Sequence, residues 1–214
     1  MPHTARAYLE EIGRPEHVYA IRPDKAALVV IDMQRFACDH AAAIPGFDRL
    51  VDNINTLAGA FRKAGRPVIW VKHGFTRDAA GDDMGLYGLF HKNPPPDGMF
   101  DGGELTELFH KMEYDPSRDH VVRKNRYSAF IRGASNIEAL LQELGAEQLI
   151  VVGLVTNVCV ESSVRDAMQL GYEVIVLEDA VASPFAEAHR AALTTIKLFF
   201  GDVRRVEDIN ASFK

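Results

Sequence analysis

Six short apolar runs punctuate the chain, at residues 27–31, 67–71, 120–122, 149–152, 173–177 and, more weakly, 203–206, with helical patterns between them. This alternation predicts parallel βαβ units and hence an α/β fold. The clearest amphipathic stretch follows the first run: Phe47, Leu50, Val51, Ile54, Leu57, Ala58 and Phe61 share one helical face before Gly65 and Pro67 end it. A second helix carries Ile137, Leu140, Leu141 and Leu144 and stops at Gly145. A last long helix is expected after Pro184, burying Ala191, Ala192, Thr195, Leu198 and Phe199. These stripes read as core faces that pack on a sheet.

Residues 72–119 interrupt the alternation with a long excursion centred on PPPDGMFDGG. It is expected to be irregular, with short helical pieces such as 104–111, and to act as a lid or binding segment, a solvated insertion or an oligomer contact. Residues 1–25, containing ARAYLEEIG, read as an arm with a short helix that either docks on a neighbouring subunit or is a simple extension. No internal repeat is visible, and the pattern reads as a single domain over residues 1–214.

Composition narrows the function classes. The 214 residues are 47% hydrophobic and 25% charged, ordinary for one compact domain with a full core. The net charge of −6, with acids and bases interspersed, leaves no basic stripe for a nucleic acid. Cys38 and Cys159 are too few for a disulfide framework. Residues 1–25 hold no apolar leader core, and no run approaches the roughly 20 apolar residues of a membrane span, so a reducing, cytoplasmic setting is expected. No Gly-x-Gly-x-x-Gly follows the first run and no P-loop occurs, so a dinucleotide or nucleoside triphosphate is not indicated.

The chemistry concentrates at strand ends. In LIVVGLVTNVCVESSVRDAM, residues 149–168, an apolar run stops at a glycine and Val160, Val164, Ala167 and Met168 then recur at helical spacing. Cys159 therefore falls on a strand-to-helix turn, where backbone N–H groups and the helix dipole are expected to lower its pKa. The alternative is a small buried hydrophobe. In an open parallel sheet, ligands sit beyond the carboxyl ends of the strands. That rule also selects Asp32, after the first run in ALVVIDMQ, and Lys124, after the third in VVRKNRYSAF. Singly, these residues read as a turn cap and a solvated strand end. Together they bring an acid, a base and a thiol to one edge, where a charge needs a partner if the cleft is dry.

DMQ after the first strand, KxRYSAF after the third and GxxTNVCVxxSxRDA after the fourth resemble the isochorismatase-like cysteine hydrolase superfamily over residues 25–206. The resemblance implies a three-layer αβα sandwich, Rossmann-like, with a six-stranded parallel sheet of order 3-2-1-4-5-6. It implies a catalytic triad of Asp32, Lys124 and Cys159 and an oxyanion hole from the N–H groups of Val155 and Cys159, exposed by a non-proline cis peptide between Leu154 and Val155. No cofactor is implied. The partners expected are a small-molecule substrate and further copies of the chain, as a dimer or tetramer. The activity implied is cleavage of an amide, ureido or N-carbamoyl C–N bond through a thioester, releasing ammonia or an amine. Vinyl ether hydrolysis, with the aspartate as proton donor, is the alternative, and a catalytically silent binding protein is a third reading.

Gln34 and Phe36 are placed by the same motif either in the cleft or in turn polarity and packing. Arg126, Tyr127 and Phe130 follow Lys124 closely enough to reach a pocket; Arg126 either holds a substrate carboxylate bidentately or makes a surface salt bridge. His73 is counted with these substrate-binding residues. Thr156 and Asn157 are expected to support the turn. Nicotinamidases of the superfamily carry Asp-x-His-x-x-x-His after the second strand, whereas this chain reads WVKHGFTRD and keeps only His73, so no metal site is expected. Cys38, Asp39 and His40 occupy adjacent positions that do not readily converge on one ion.

Overall fold

The computed structural model describes residues 4–79, 81–87 and 97–213. Its centre is a six-stranded, all-parallel sheet built from β1 (Ala26–Ile31), β2 (Val68–His73), β5 (His120–Lys124), β6 (Gln148–Leu154), β7 (Glu173–Ala182) and β8 (Asp202–Arg204). A two-residue hairpin, β3 (Arg77–Asp78) with β4 (Gly81–Asp82), lies apart from it. The order across the sheet is β5-β2-β1-β6-β7-β8, which is 3-2-1-4-5-6 among the sheet strands, so the order reverses between β1 and β6.

β1 shows why the sheet is covered on both faces. Every one of its residues is buried. Ala26, Leu28 and Val30 pack into one hydrophobic layer and Ala27, Val29 and Ile31 into the other, as the two-residue period of a strand requires. The first layer is closed by α3 (Phe47–Lys63) and α7 (Val206–Ser212), the second by α4 (Ile137–Glu143), α5 (Glu161–Gln169) and α6 (Ala186–Thr195). α3 buries the seven residues whose spacing predicts it, Phe47 through Phe61. Truncating a fully buried one such as Leu57 to alanine costs about 2–5 kcal/mol in a core of this kind.

Several local expectations are corrected. The strand expected at 203–206 is Asp202–Arg204, because Val206 already begins α7, where the Asp208 carboxylate accepts from the Arg205 N–H. α6 does not bury Ala191 or Phe199. It packs Ala192 and Leu193 inward and continues into a π-turn, Ile196–Phe200, whose wider winding carries Ile196 and Phe200 to the core and leaves Phe199 57% exposed. The helical piece expected at 104–111 is one 3-10 turn, Glu104–Thr106. α2 (Arg35–Ala41) and α7 had no strong periodicity and were not expected.

The arm docks on its own chain. Thr4 caps α1 (Ala5–Glu11), the Asp202 carboxylate accepts from the N–H groups of Val18 and Tyr19, and Arg22 N–H donates to the Gln148 side chain. Of the 72–119 excursion, residues 80 and 88–96, including the three prolines, lie outside the described residues. Among the described residues no helix is long and apolar enough to cross a membrane.

Candidate active site

The carboxyl edge of the sheet sets the site's geometry. Ile31 of β1 is level with Val71 of β2 and with Gly153 of β6. Gly153 has φ +112°, and a Cβ there would lie 2.1 Å from the Ile31 carbonyl oxygen, so only glycine lets β6 pass this close to the end of β1. Asp32 follows Ile31 in the left-handed region, φ 52°, which an aspartate tolerates better than most residues. This turn directs its carboxylate across β2 toward the end of β5.

Lys124, the last residue of β5, is fully buried and meets it there. Its Nζ donates to Asp32 Oδ2 at 2.9 Å, to the Arg126 carbonyl at 3.1 Å and to His73 Nδ1 at 3.2 Å, using all three ammonium hydrogens. His73 stands beside Lys124 in register across the two strands. An ammonium cannot accept a hydrogen bond, so His73 Nδ1 is the acceptor and the ring proton sits on Nε2. Burial, helped by the Lys124 charge, holds His73 well below the ordinary imidazole pKa, so it is neutral.

Cys159 lies on a π-turn, Thr156–Val160, between β6 and α5 rather than at a simple helix start. The Leu154–Val155 peptide just before it is cis. The turn is braced from the β7–α6 connection and from α6 itself: Ser183 Oγ donates to Asn157 Oδ1 at 2.7 Å, and Thr156 Oγ1 bonds His189 Nδ1 at 2.9 Å. The Cys159 thiol lies close enough to Asp32 and Lys124 for both charges to act on it. Three residues from three strand ends therefore meet in one buried cluster.

The electrostatics correct the expectation of a lowered thiol pKa. Burial pushes the Cys159 thiol far up and the Asp32 charge adds to it, against the opposing pull of Lys124. Burial also raises Asp32, although Lys124 and the thiol draw it back. For Lys124 burial acts downward, and the attraction of Asp32 and Cys159 outweighs it, so the ammonium is held. The resting site is thus a neutral thiol beside a proton-hungry carboxylate and a fixed cation. Two buried polar atoms in it, Asp32 Oδ1 and His73 Nε2, have no hydrogen-bond partner among the described residues.

The remaining expected pocket residues divide. Phe36 faces the His73 ring at 5.9 Å, and Tyr127 lies near enough to Cys159 for the thiolate's charge to raise its phenol, after burial. Gln34 is corrected: it is 0% exposed and spends its amide on backbone, donating to the carbonyls of His73 and Thr106 and accepting from His73 N–H at 2.6 Å. It ties β2 to the excursion instead of facing a ligand. Phe130 is corrected too, since it packs in the core layer and against Tyr172 at 6.0 Å. The Arg126 guanidinium is pinned to the carbonyls of Asp83 and Asn125 at 2.6 and 2.8 Å. Ser128 and Ser163 of the motifs hold the β5–α4 segment through the amides of Phe130 and Ala129. Tyr87, from the excursion, was not foreseen; its ring lies 5.5 Å from His73 and 5.7 Å from Tyr127. Both cysteines are free and buried.

A parallel sheet whose carboxyl edge gathers a thiol, a carboxylate and an ammonium defines a cysteine-hydrolase-like α/β enzyme. The family model described as Isochorismatase domain matches residues 26–208, and the chain belongs to that family and is a hydrolase. Ureidoacrylate amidohydrolase RutB of Klebsiella pneumoniae is 36% identical over 217 residues, covering 91% of this chain and 89% of the relative. The crystal structure of a cysteine hydrolase from Pseudomonas syringae pv. phaseolicola superposes with a TM-score of 0.79 at 28% identity, covering 94% of this chain and 97% of that one. N-carbamoylsarcosine amidase from Thermoplasma acidophilum gives a TM-score of 0.70 at 25% identity, covering 86% and 97%.

Proposed function

We propose that this enzyme cleaves the C–N bond of a small ureido or N-carbamoyl acid, with Cys159 as nucleophile. The observation that carries the reading is the buried Asp32–Lys124 ion pair with the Cys159 thiol against it. The relatives named for amide hydrolysis add the substrate class.

A neutral thiol attacks poorly, so its proton must leave as the C–S bond forms. Asp32, whose free Oδ1 has no other partner among the described residues and whose proton affinity is raised, takes that proton. Lys124 stabilises the thiolate as it develops and holds the carboxylate in place. The carbonyl oxygen becomes an oxyanion, for which the N–H groups of Val155 and Cys159 are the proposed donors, each worth about 10²–10³ in rate. Collapse breaks the C–N bond, and Asp32 returns its proton to the leaving nitrogen. A thioester, or an S-carbamoyl group from a ureide, stays on Cys159. Water then attacks with Asp32 as base, releasing the acid or carbamate and restoring the thiol.

The test is a panel of ureido acids, N-carbamoyl acids, simple amides and isochorismate, scored for released ammonia or amine and for vinyl ether loss. The expected result is C–N cleavage that disappears in Cys159→Ser. Isochorismate hydrolysis that survives Cys159→Ser would replace this reading with proton-donor chemistry at Asp32.

A further inference from the structure

The excursion reaches the active site through one acidic residue. Asp83 Oδ1 accepts from Thr76 N–H at 2.7 Å and its own N–H donates to the Thr76 carbonyl, which fastens it beyond the end of β2. Its Oδ2 accepts from Asn125 Nδ2 at 2.9 Å and lies 3.5 Å from Arg123, and its carbonyl accepts from Arg126 at 2.6 Å, which fastens it to β5 and the segment after it. The Arg126 guanidinium then packs on Gly85, where a Cβ would come within 3.0 Å of it at a φ of +60°. Four residues after Asp83, the Tyr87 ring lands against His73 at 5.5 Å, Phe75 at 5.0 Å and Tyr127 at 5.7 Å. His73 in turn touches the Lys124 ammonium.

We propose that Tyr87 is a specificity-determining residue, held over the triad by an Asp83 clasp so that its ring forms the wall against which the flat amide or ureido group of the substrate packs. The substrate half of this inference rests on the function proposed above; the inferred position of the ring beside Cys159 rests instead on its contacts with His73 and Tyr127. Amide and ureido groups are planar and present a π-face, so an aromatic wall orients them as a side chain of equal volume but no plane cannot. The phenol is held up to about 12 by burial, with the nearby Tyr127, Cys159 and Asp32 adding to it, so it stays neutral and brings no competing charge to the carboxylate. Asp83, in contrast, is ionised: burial acts upward on its carboxyl, but the bonds from Asn125 and Thr76 and the Arg123 charge outweigh it.

The experiment compares wild type with Tyr87→Phe, Tyr87→Ala and Asp83→Ala. The first readout needs no substrate: the rate at which iodoacetamide labels Cys159, by peptide mass spectrometry, with buried Cys38 as internal reference. Opening the wall is expected to speed labelling of Cys159 about tenfold in Tyr87→Ala and in Asp83→Ala, while Tyr87→Phe stays within about twofold, because the ring rather than the hydroxyl covers the thiol. The second readout is steady-state kinetics on a ureido or N-carbamoyl acid, where Tyr87→Ala raises KM about five- to tenfold with kcat within about threefold. Wild-type labelling rates in Tyr87→Ala would overturn the placement, and faster labelling with an unchanged KM would overturn the role in specificity. Undiminished turnover by Cys159→Ala would instead sink the proposed chemistry and leave the labelling result standing.

Discussion

Strand β5 carries a buried carboxylate pairing at each end, and the two are built for opposite purposes. At its start, Asp119 accepts from Arg62 Nε at 2.8 Å and Nη2 at 2.6 Å, from Trp70 Nε1 at 2.8 Å and from Asp115 N–H at 3.0 Å. Both oxygens are filled, and although burial pushes the carboxyl up, those partners bring it below the ordinary range. At the other end, Lys124 meets Asp32 through one oxygen only, the second has no partner among the described residues, and burial wins. A fully satisfied buried carboxylate is a fixture; one left short of partners keeps an appetite for protons. In the proposed function, the difference separates the structural end of the strand from the catalytic one.

The largest effect expected from that contrast is catalytic. Asp32→Asn and Cys159→Ala should each lower turnover by about 10⁴ or more while the protein still folds, because general base and nucleophile act as one unit. Turnover within tenfold of wild type in either would erase the distinction between the two ends. Asp119→Ala should show the reverse signature: about 3–5 kcal/mol less stability in urea unfolding, from a buried guanidinium and an indole N–H left unpaired, with kcat of the folded fraction unchanged.

A third test uses pH. Asp32 must be ionised to accept the thiol proton, and its pKa is raised, so kcat/KM is present above that pKa and is lost as pH falls through it, at a value above the usual carboxylate range. An acid limb at or below the pKa of a free aspartate would contradict the burial effect. The smallest effect concerns the brace behind the nucleophile. His189→Ala removes one hydrogen bond to Thr156 and should cost about 0.5–1.5 kcal/mol in stability and a few-fold in kcat, with KM little changed. A loss as large as that of Asp32→Asn would make His189 part of the chemistry.

Much of this was legible in the chain. Strands that bury both faces announce themselves as apolar runs, the carboxyl-edge rule then singles out Asp32, Lys124 and Cys159 as residues to examine, and the family resemblance supplies their expected roles. Two properties were not. The thiol's protonation follows from burial and from a carboxylate 127 positions away, neither of which a local turn pattern encodes. The roles of Gln34 and Tyr87 depend on partners across the excursion: Gln34 spans to Thr106, 72 residues on, and Tyr87 arrives through Asp83 on a segment with no periodicity to read. The π-turns at Thr156–Val160 and Ile196–Phe200 likewise leave no mark in the apolar pattern beyond a stripe that drifts.

The most direct measurement is mass spectrometry of enzyme quenched during turnover of a ureido or N-carbamoyl acid. An acyl or carbamoyl increment on the peptide holding Cys159, absent from that holding Cys38 and absent in Asp32→Asn, is the result expected. Steady turnover with both cysteines unmodified at every quench time, and retained by Cys159→Ala, would contradict the account.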